Sequence, residues 1–383
     1  MNTLFKKAEQ DRQKSRFKSA QKSYKSLLRK SLKPEEKAEA LLGLADVERI
    51  QGYFTDSLQH YQAASKILKR LDPAARVDAH VGWALAARAV GRPHEALREL
   101  KKALVSYKKD KDPQGEAFAH WALGGTLRIA GDMKSGLKEL QSALRMYKAL
   151  KNPEGISYTY CALGGIFRMM GRYAESGKFY RKANHDMRHR GDTFGIAYSY
   201  CGLGNVQRMA GRFHQALPFY QKAEKLYRTI GDRVSYAYTL WSIGTTYKML
   251  GDYTPAWKAF QKADALFRET GDTRGQIYTT IGFYEIRALS PNHRNKFNPG
   301  PELETNSNHS KVFIWESLHL KALNWLILWA VGKALMDANT KEMTSPKIKE
   351  LKKAMADIIG DLALLYKKAG SKFYPKSLPV NWP

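Results

Sequence analysis

A glycine returns along this chain with almost no drift. It occurs at Gly52, Gly91, Gly131, Gly171, Gly211 and Gly251, at intervals of 39, 40, 40, 40 and 40 residues. Each time it closes one recurring phrase: LADVERIQGYF, LGGTLRIAGDM, LGGIFRMMGRY, LGNVQRMAGRF and IGTTYKMLGDY among them. A further copy, with serine for glycine, lies at Ser15 and is followed by Phe17, Ala20 and Tyr24. A period of this length marks a repeat architecture, in which one supersecondary unit buries its apolar face only by stacking on its neighbours.

Each unit reads as two helices. Before the glycine, Tyr160, Leu163, Gly164 and Phe167 recur at helical spacing, and Tyr173, Tyr180 and Ala183 do so after it. The glycine suits a tight turn with φ > 0. Pro113, Pro153 and the Gly-Asp pairs at Gly191, Gly231 and Gly271 punctuate the joint to the next unit. Strand signals are missing, so the predicted class is all-α.

These residues resemble the tetratricopeptide repeat. With the turn glycine as repeat position 15, the family pattern has large residues near 4, 7, 11, 17 and 24 and small ones at 8, 20 and 27. Tyr200, Leu203, Gly204, Phe213, Ala216, Tyr220 and Ala223 follow it, with polar Gln207 a departure at 11. Trp241 to Ala263 follows it more closely, through Ile243, Gly244, Tyr247, Tyr253, Ala256 and Phe260. The period exceeds the usual ~34 residues, and the extra ones fall in the joint, as in Lys225 to Arg233. That longer form is similar to the subtype in the spindle scaffold LGN, kinesin light chains and bacterial Rap-type regulators. The resemblance implies a right-handed superhelical α-solenoid of about seven units, with the first helices lining the concave side.

Residues 1–289 are predicted to form this solenoid. An eighth copy begins at Ile277 but meets Ser290-Pro291 where its glycine should stand. Residues 290–311, rich in Asn, Pro and Ser, read as a flexible linker. Residues 312–337 and 347–369 read as two helices, the second with Ile348, Leu351, Met355, Ile358, Leu362 and Leu365 on one face; such a pair would cap the solenoid. The tail to 383 holds three prolines and is irregular. The stretch from Val312 to Met336 carries Trp315, Trp325 and Trp329, and it either packs on the last repeat or docks a partner or membrane.

The charge is unusual. There are 64 Lys+Arg against 36 Asp+Glu, a formal +28, which favours an anionic partner. Residues 1–33 alone carry 11 cations against Glu9 and Asp11, read either as a solvated outer face or as a docking patch. No secretory apolar core and no run of ~18 apolar residues is present. With only Cys161 and Cys201, a reducing cytoplasm is the expected compartment.

Helix geometry sorts each first helix. At ~100° per residue, positions 4, 7, 8 and 11 form a packing face, and positions 2, 5, 9 and 12 cluster on the opposite, groove-lining side. Position 12 is Arg12, Arg49, Arg88, Arg128, Arg168, Arg208 and then Lys248. Position 2 holds Phe118, Tyr158, Tyr198, Tyr238 and Tyr278; position 5 holds Trp121, Cys161, Cys201 and Trp241. Position 9 holds Gly125, Gly165, Asn205 and Thr245. The cation row either complements helix dipoles and neighbouring acids or forms an anion-binding ladder. A ladder would take an extended acidic peptide, an acidic amphipathic helix, or single-stranded RNA or DNA with bases stacked on the tyrosines. The expected function is an adaptor for an acidic protein segment, with nucleic acid as the alternative on the same surface. Asn205 would add a backbone hydrogen bond.

Enzyme signatures fail. There is no P-loop, no GxSxG, no HExxH and no zinc spacing of Cys and His. His185 and His189 are four apart on a helix but lack a third ligand, and neither cysteine has an activating base nearby in the pattern. No catalysis, cofactor, metal or small-molecule substrate is expected.

Overall fold

The computed structural model describes residues 3–272 and scattered positions between 275 and 286. The end of the eighth copy, the 290–311 linker, and the 312–383 cap and tail lie outside the described residues. Fourteen helices run through residues 3–270 in seven pairs, and the described positions between 275 and 286 are helical as well. The pairs are α1 (Thr3–Gln13) with α2 (Phe17–Leu28), α3 (Pro34–Gln51) with α4 (Phe54–Leu71), α5 (Pro73–Ala89) with α6 (Pro93–Lys109), and α7 (Pro113–Ile129) with α8 (Met133–Ala149). Then come α9 (Pro153–Met169) with α10 (Tyr173–His189), α11 (Thr193–Met209) with α12 (Phe213–Ile230), and α13 (Arg233–Leu250) with α14 (Tyr253–Thr270). No strand occurs among the described residues.

The turn glycines behave as their spacing predicts. Gly52, Gly91, Gly131, Gly171, Gly211 and Gly251 all have φ between 75° and 88°, a region that side-chain-bearing residues rarely adopt. The joint between pairs has its own period. Asp72, Asp112, Asn152, Asp192 and Asp232 each precede an odd-numbered helix, and each side chain accepts a backbone N–H of its first turn. Such caps satisfy donors that the helix itself leaves unpaired.

One of these caps is set apart by burial. Asp232 is 2% exposed. Burial raises its carboxyl to about 6, against the opposing pull of its hydrogen bonds to Ser235 and Val234. A raised carboxyl binds its proton more tightly in the native state than in the unfolded chain. Its contribution is therefore fully present below about pH 4 and is lost as pH rises through about 6. Asn152 fills the equivalent position without a charge. Asp232→Asn is expected to remove this decline and raise unfolding stability near pH 7 by about 1–3 kcal/mol. Urea unfolding at pH 4 and pH 7.5 measures it; equal gains at both pH values would refute the assignment.

The contacts form two compact units: Met1–Ser242 with Glu269–Asp272, and Ile243–Arg268 with Thr273–Pro383. In the first unit each helix packs on the next, and odd helices also touch odd helices: α1 with α3, then α3 with α5, α5 with α7, α7 with α9 and α9 with α11. Burial follows from this. α7 buries Ala117, Ala119, Ala122, Leu123, Gly124 and Thr126, which point several ways round the helix. α8 buries only Gly136, Leu140, Ala143 and Tyr147, a single stripe. Odd helices thus form an inner layer and even helices an outer one.

This unit also coils back on itself. Phe5, Phe17, Tyr24 and Leu27 share one core with Ala197, Ala223, Tyr227 and Ile230. The Phe17 ring meets Phe194 edge-on at 6.4 Å between centroids. The Arg233 guanidinium covers the Tyr53 ring at 4.4 Å and pairs with Glu269. Helices α1–α3 and the turn at Tyr53 therefore close against residues 194–234.

In the second unit, a Cβ on Gly244 would lie 2.7 Å from the Phe260 ring, and Trp257 and Phe260 both pack on Phe283. It follows the same large-on-small pairing as the first.

Candidate functional site: a row of arginines on the inner helices

The row of cations divides into two parts. In the first two pairs each cation has an acid on its own helix, three residues earlier. Arg12 Nη2 lies 2.7 Å from Glu9, and its Nη1 lies 3.8 Å from Asp46. Arg49 Nη2 lies 3.6 Å from Asp46, and its Nε donates to the Tyr61 hydroxyl at 3.4 Å. The Tyr61 hydroxyl donates to Asp46 at 2.6 Å, and that of Tyr24 donates to Glu9. Glu9 and Asp46 stand at repeat position 9, where Gly125, Gly165, Asn205 and Thr245 stand in later copies. The signal was present, as an acid three residues before the cation.

From α5 onward that position is Leu85, Gly125, Gly165 and Asn205. Among the described residues no carboxylate lies within 4.0 Å of Arg88, Arg128, Arg168 or Arg208. Each of the four instead reaches the next odd helix. Arg88 Nη1 donates to Thr126 Oγ1 at 3.4 Å and to the Ala122 carbonyl at 3.5 Å, and its guanidinium lies 5.9 Å from the Trp121 ring centroid. The Arg128 chain passes beside Gly165, 3.7 Å from where a Cβ would sit. Arg168 Nη1 meets Met209 Sδ at 3.0 Å, while its buried Nε has no hydrogen-bond partner. Arg208 is 3% exposed; its Nε donates to the Tyr220 hydroxyl at 3.3 Å, and its guanidinium lies 5.4 Å from the Trp241 ring.

These charges also feel one another. Burial, with Arg49 and Arg128 on either side, lowers the Arg88 guanidinium to about 10. Tyr198, on α11, is raised by burial while Arg128 and Arg88 pull it back. Its side chain remains accessible, with the residue 37% exposed, as is Phe118.

The other expected site residues are less free. Trp121 stacks on Phe118 at 5.5 Å and donates Nε1 to the Tyr158 carbonyl at 3.4 Å. Tyr158 bonds Asp192 through its hydroxyl and packs on Phe194 at 6.5 Å; burial, then that carboxylate, holds its phenol well above the usual range. Tyr238 is half-buried and Trp241 is 8% exposed. Asn205 Oδ1 accepts from the Tyr220 hydroxyl at 2.9 Å and from Ser242 at 3.4 Å, so its acceptor is turned to the protein. Lys248 is half-buried and lies in the second unit.

The chemistry available is recognition by charge. Both thiols are free, and burial pushes both above the ordinary thiol range, which makes them poor nucleophiles. His185 and His189 meet edge-on at 4.5 Å. Among the described residues no three His, Cys, Asp or Glu side chains are grouped to hold a metal, and no helix is long and apolar enough to cross a membrane.

Comparison with known proteins agrees with the fold. The tetratricopeptide-repeat family matches residues 5–75 and again residues 195–269. No curated protein matches the sequence. Among solved structures, the chain is similar to a Rap protein complexed with Competence and Sporulation Factor, with a TM-score of 0.60 and 16% identity over 70% of this chain and 75% of that one. It is similar to NprR in complex with its cognate peptide NprX, with a TM-score of 0.55 and 15% identity over 87% of this chain and 98% of that one. The apo form of RapI gives a TM-score of 0.53 and 16% identity over 70% of this chain and 98% of that one.

Proposed function

We propose that this chain, which matches the tetratricopeptide-repeat family over residues 5–75 and 195–269, works as a non-enzymatic interaction scaffold whose inner helices capture an acidic segment of another protein. The observation that carries this reading is the break in the cation row: acids neutralise Arg12 and Arg49, and none accompanies Arg88, Arg128, Arg168 or Arg208. Half-buried guanidinium groups without an anion are costly, and like charges side by side add to the cost. A ligand carboxylate relieves both, through charge-assisted and bidentate hydrogen bonds. Arg88, Arg128 and Arg168 would hold the carboxylates, while Phe118 and Tyr198 give apolar contact. Arg208 is the least accessible of the row and supplies field rather than contact.

The NprR structure, which contains its cognate peptide NprX, supports a peptide as the class of ligand. A single-stranded nucleic acid on this inner surface is less well served. The hydroxyl of Tyr158 is bonded to Asp192 and Trp241 is covered by Arg208, which leaves few rings for base stacking.

The test is fluorescence anisotropy with a labelled glutamate-rich decapeptide and its glutamine counterpart. The acidic peptide is expected to bind, more weakly as salt rises, and the Arg128→Glu/Arg168→Glu double variant is expected to weaken it at least tenfold. Equal affinity for the two peptides, or indifference to the double charge reversal in a variant of unchanged helical circular dichroism, would remove this reading.

A further inference from the structure

The first pair of helices carries a second cationic feature that the inner row does not use. Lys18, Lys22, Lys25 and Arg29 lie on one face of α2 and its C-cap, at steps of four, three and four residues. With Gln21 and Ser26 they line a hollow of ≈ 360 Å³. At 1.5 Å rise per residue the four charges fall along a line about 17 Å long. All four side chains are exposed, and Lys14, Arg16, Lys30 and Lys33 around them are exposed as well.

The acids of α1, and Glu48 of α3, face the other way. Glu9 is engaged by Arg12 and Tyr24, and Asp11 is 7% exposed and accepts from Ser19 at 2.6 Å. Glu48 is fully buried, 2.7 Å from His60 and 3.5 Å from Lys25. The α2 face thus presents cations with Glu9, Asp11 and Glu48 withdrawn beneath it, while the exposed acids Glu35 and Glu39 stand on the neighbouring α3. Of the apolar residues of α2, Phe17, Ala20, Tyr24 and Leu27 are buried in the core and Leu28 is partly buried against it.

We propose that this outer face of α2 binds the phosphate backbone of a single-stranded nucleic acid, without reading its sequence. Three features select that occupant. A protein partner is normally anchored by buried aromatic or arginine side chains, and lysine is depleted at such interfaces; this face is mostly lysine and shows no apolar group. A bilayer surface would gain from an inserted apolar edge, which α2 keeps in the core, and a flat surface bridges a hollow where a strand can enter it. Non-specific nucleic-acid binding needs only what is present: a line of cations and a few polar donors. The net +28 of the chain adds long-range attraction. This inference stands on a different surface from the inner arginines and does not depend on the peptide reading.

The test uses the full chain and a fluorescein-labelled thirty-residue oligothymidylate, with anisotropy titrations between 50 and 300 mM KCl. Binding is expected, with log K falling linearly against log salt. Lys22→Gln/Arg29→Gln removes two exposed cations that have no ion pair among the described residues; it is expected to flatten that slope by about 1.4, at about 0.7 per phosphate contact on a single strand. Lys22→Gln alone should give half of that change. Arg128→Gln, on the inner helices, should leave the slope as it was. No binding at 50 mM KCl overturns the proposal. So does a slope that the α2 variants leave unchanged, or binding to phosphatidylserine vesicles that exceeds binding to the oligonucleotide.

Discussion

Gly202→Ala is expected to destabilise the protein by about 2 kcal/mol, although alanine is the better helix former by about 1 kcal/mol. The reason is the ring of Tyr180. It is 4% exposed and sits between two glycines. A Cβ on Gly164 of its own pair would lie 2.8 Å from the ring, and one on Gly202 of the next pair would land within the ring's van der Waals envelope. Pinned on both sides, the ring cannot step aside, and overpacking of this kind costs about 1–3 kcal/mol or more. The pattern recurs. Tyr24 meets Gly43 and Tyr61 meets Gly82, and in the second unit Phe260 meets Gly282. Where the outer residue is leucine instead, the inner one is alanine: Leu100 shares a core with Ala122, and Leu140 one with Ala162. Tyr180→Leu should therefore rescue Gly202→Ala, with a coupling of about 1–2 kcal/mol in a double-mutant cycle by urea unfolding. Strict additivity of the two changes would show that the glycine is there for another reason.

That pairing explains why the fold was readable in advance. Helix, turn and period are local matters, and the glycine at every fortieth residue reports a turn whose φ of 75° to 88° only glycine adopts at ease. The inner surface was readable only as directions. Helix angle places Trp241 and Cys161 on the same side as Arg128, yet they are 8% and 0% exposed because the neighbouring inner helices cover position 5. The closure of Phe17 on Phe194 left no pattern, since it joins segments 177 residues apart (194 − 17) that share no period. Position 9 shows no residue type common to the copies, since Glu9 and Asp46 give way to Leu85, Gly125, Gly165, Asn205 and Thr245, so its acids stand out only when each is paired with the cation three residues later.

Those two acids provide the sharpest test of the inner row, because the chain itself shows how to silence it. Gly165→Asp places a carboxylate three residues before Arg168, in the register of Glu9 and Asp46. There is room for it: a Cβ there would lie 3.5 Å from the Tyr180 hydroxyl and 3.7 Å from the Arg128 side chain, which is ordinary contact. The new acid would stand among Arg168, Arg128 and a tyrosine hydroxyl, as Asp46 stands among Arg49, Arg12 and Tyr61. A partly exposed ion pair contributes about 1 kcal/mol at most, so the melting temperature should rise slightly. Peptide affinity should fall much more. The built-in carboxylate competes for two of the three contact arginines at effectively unlimited local concentration and repels an incoming one. A loss of ten- to a hundredfold is expected, about 1.4–2.8 kcal/mol, together with a weaker salt dependence. Gly165→Asn has nearly the same shape without the charge and should bind the acidic decapeptide within about threefold of the parent, a difference under about 0.7 kcal/mol. If the aspartate and asparagine variants bind alike, the charge at this register has no bearing on the ligand, and the inner arginines are packing residues.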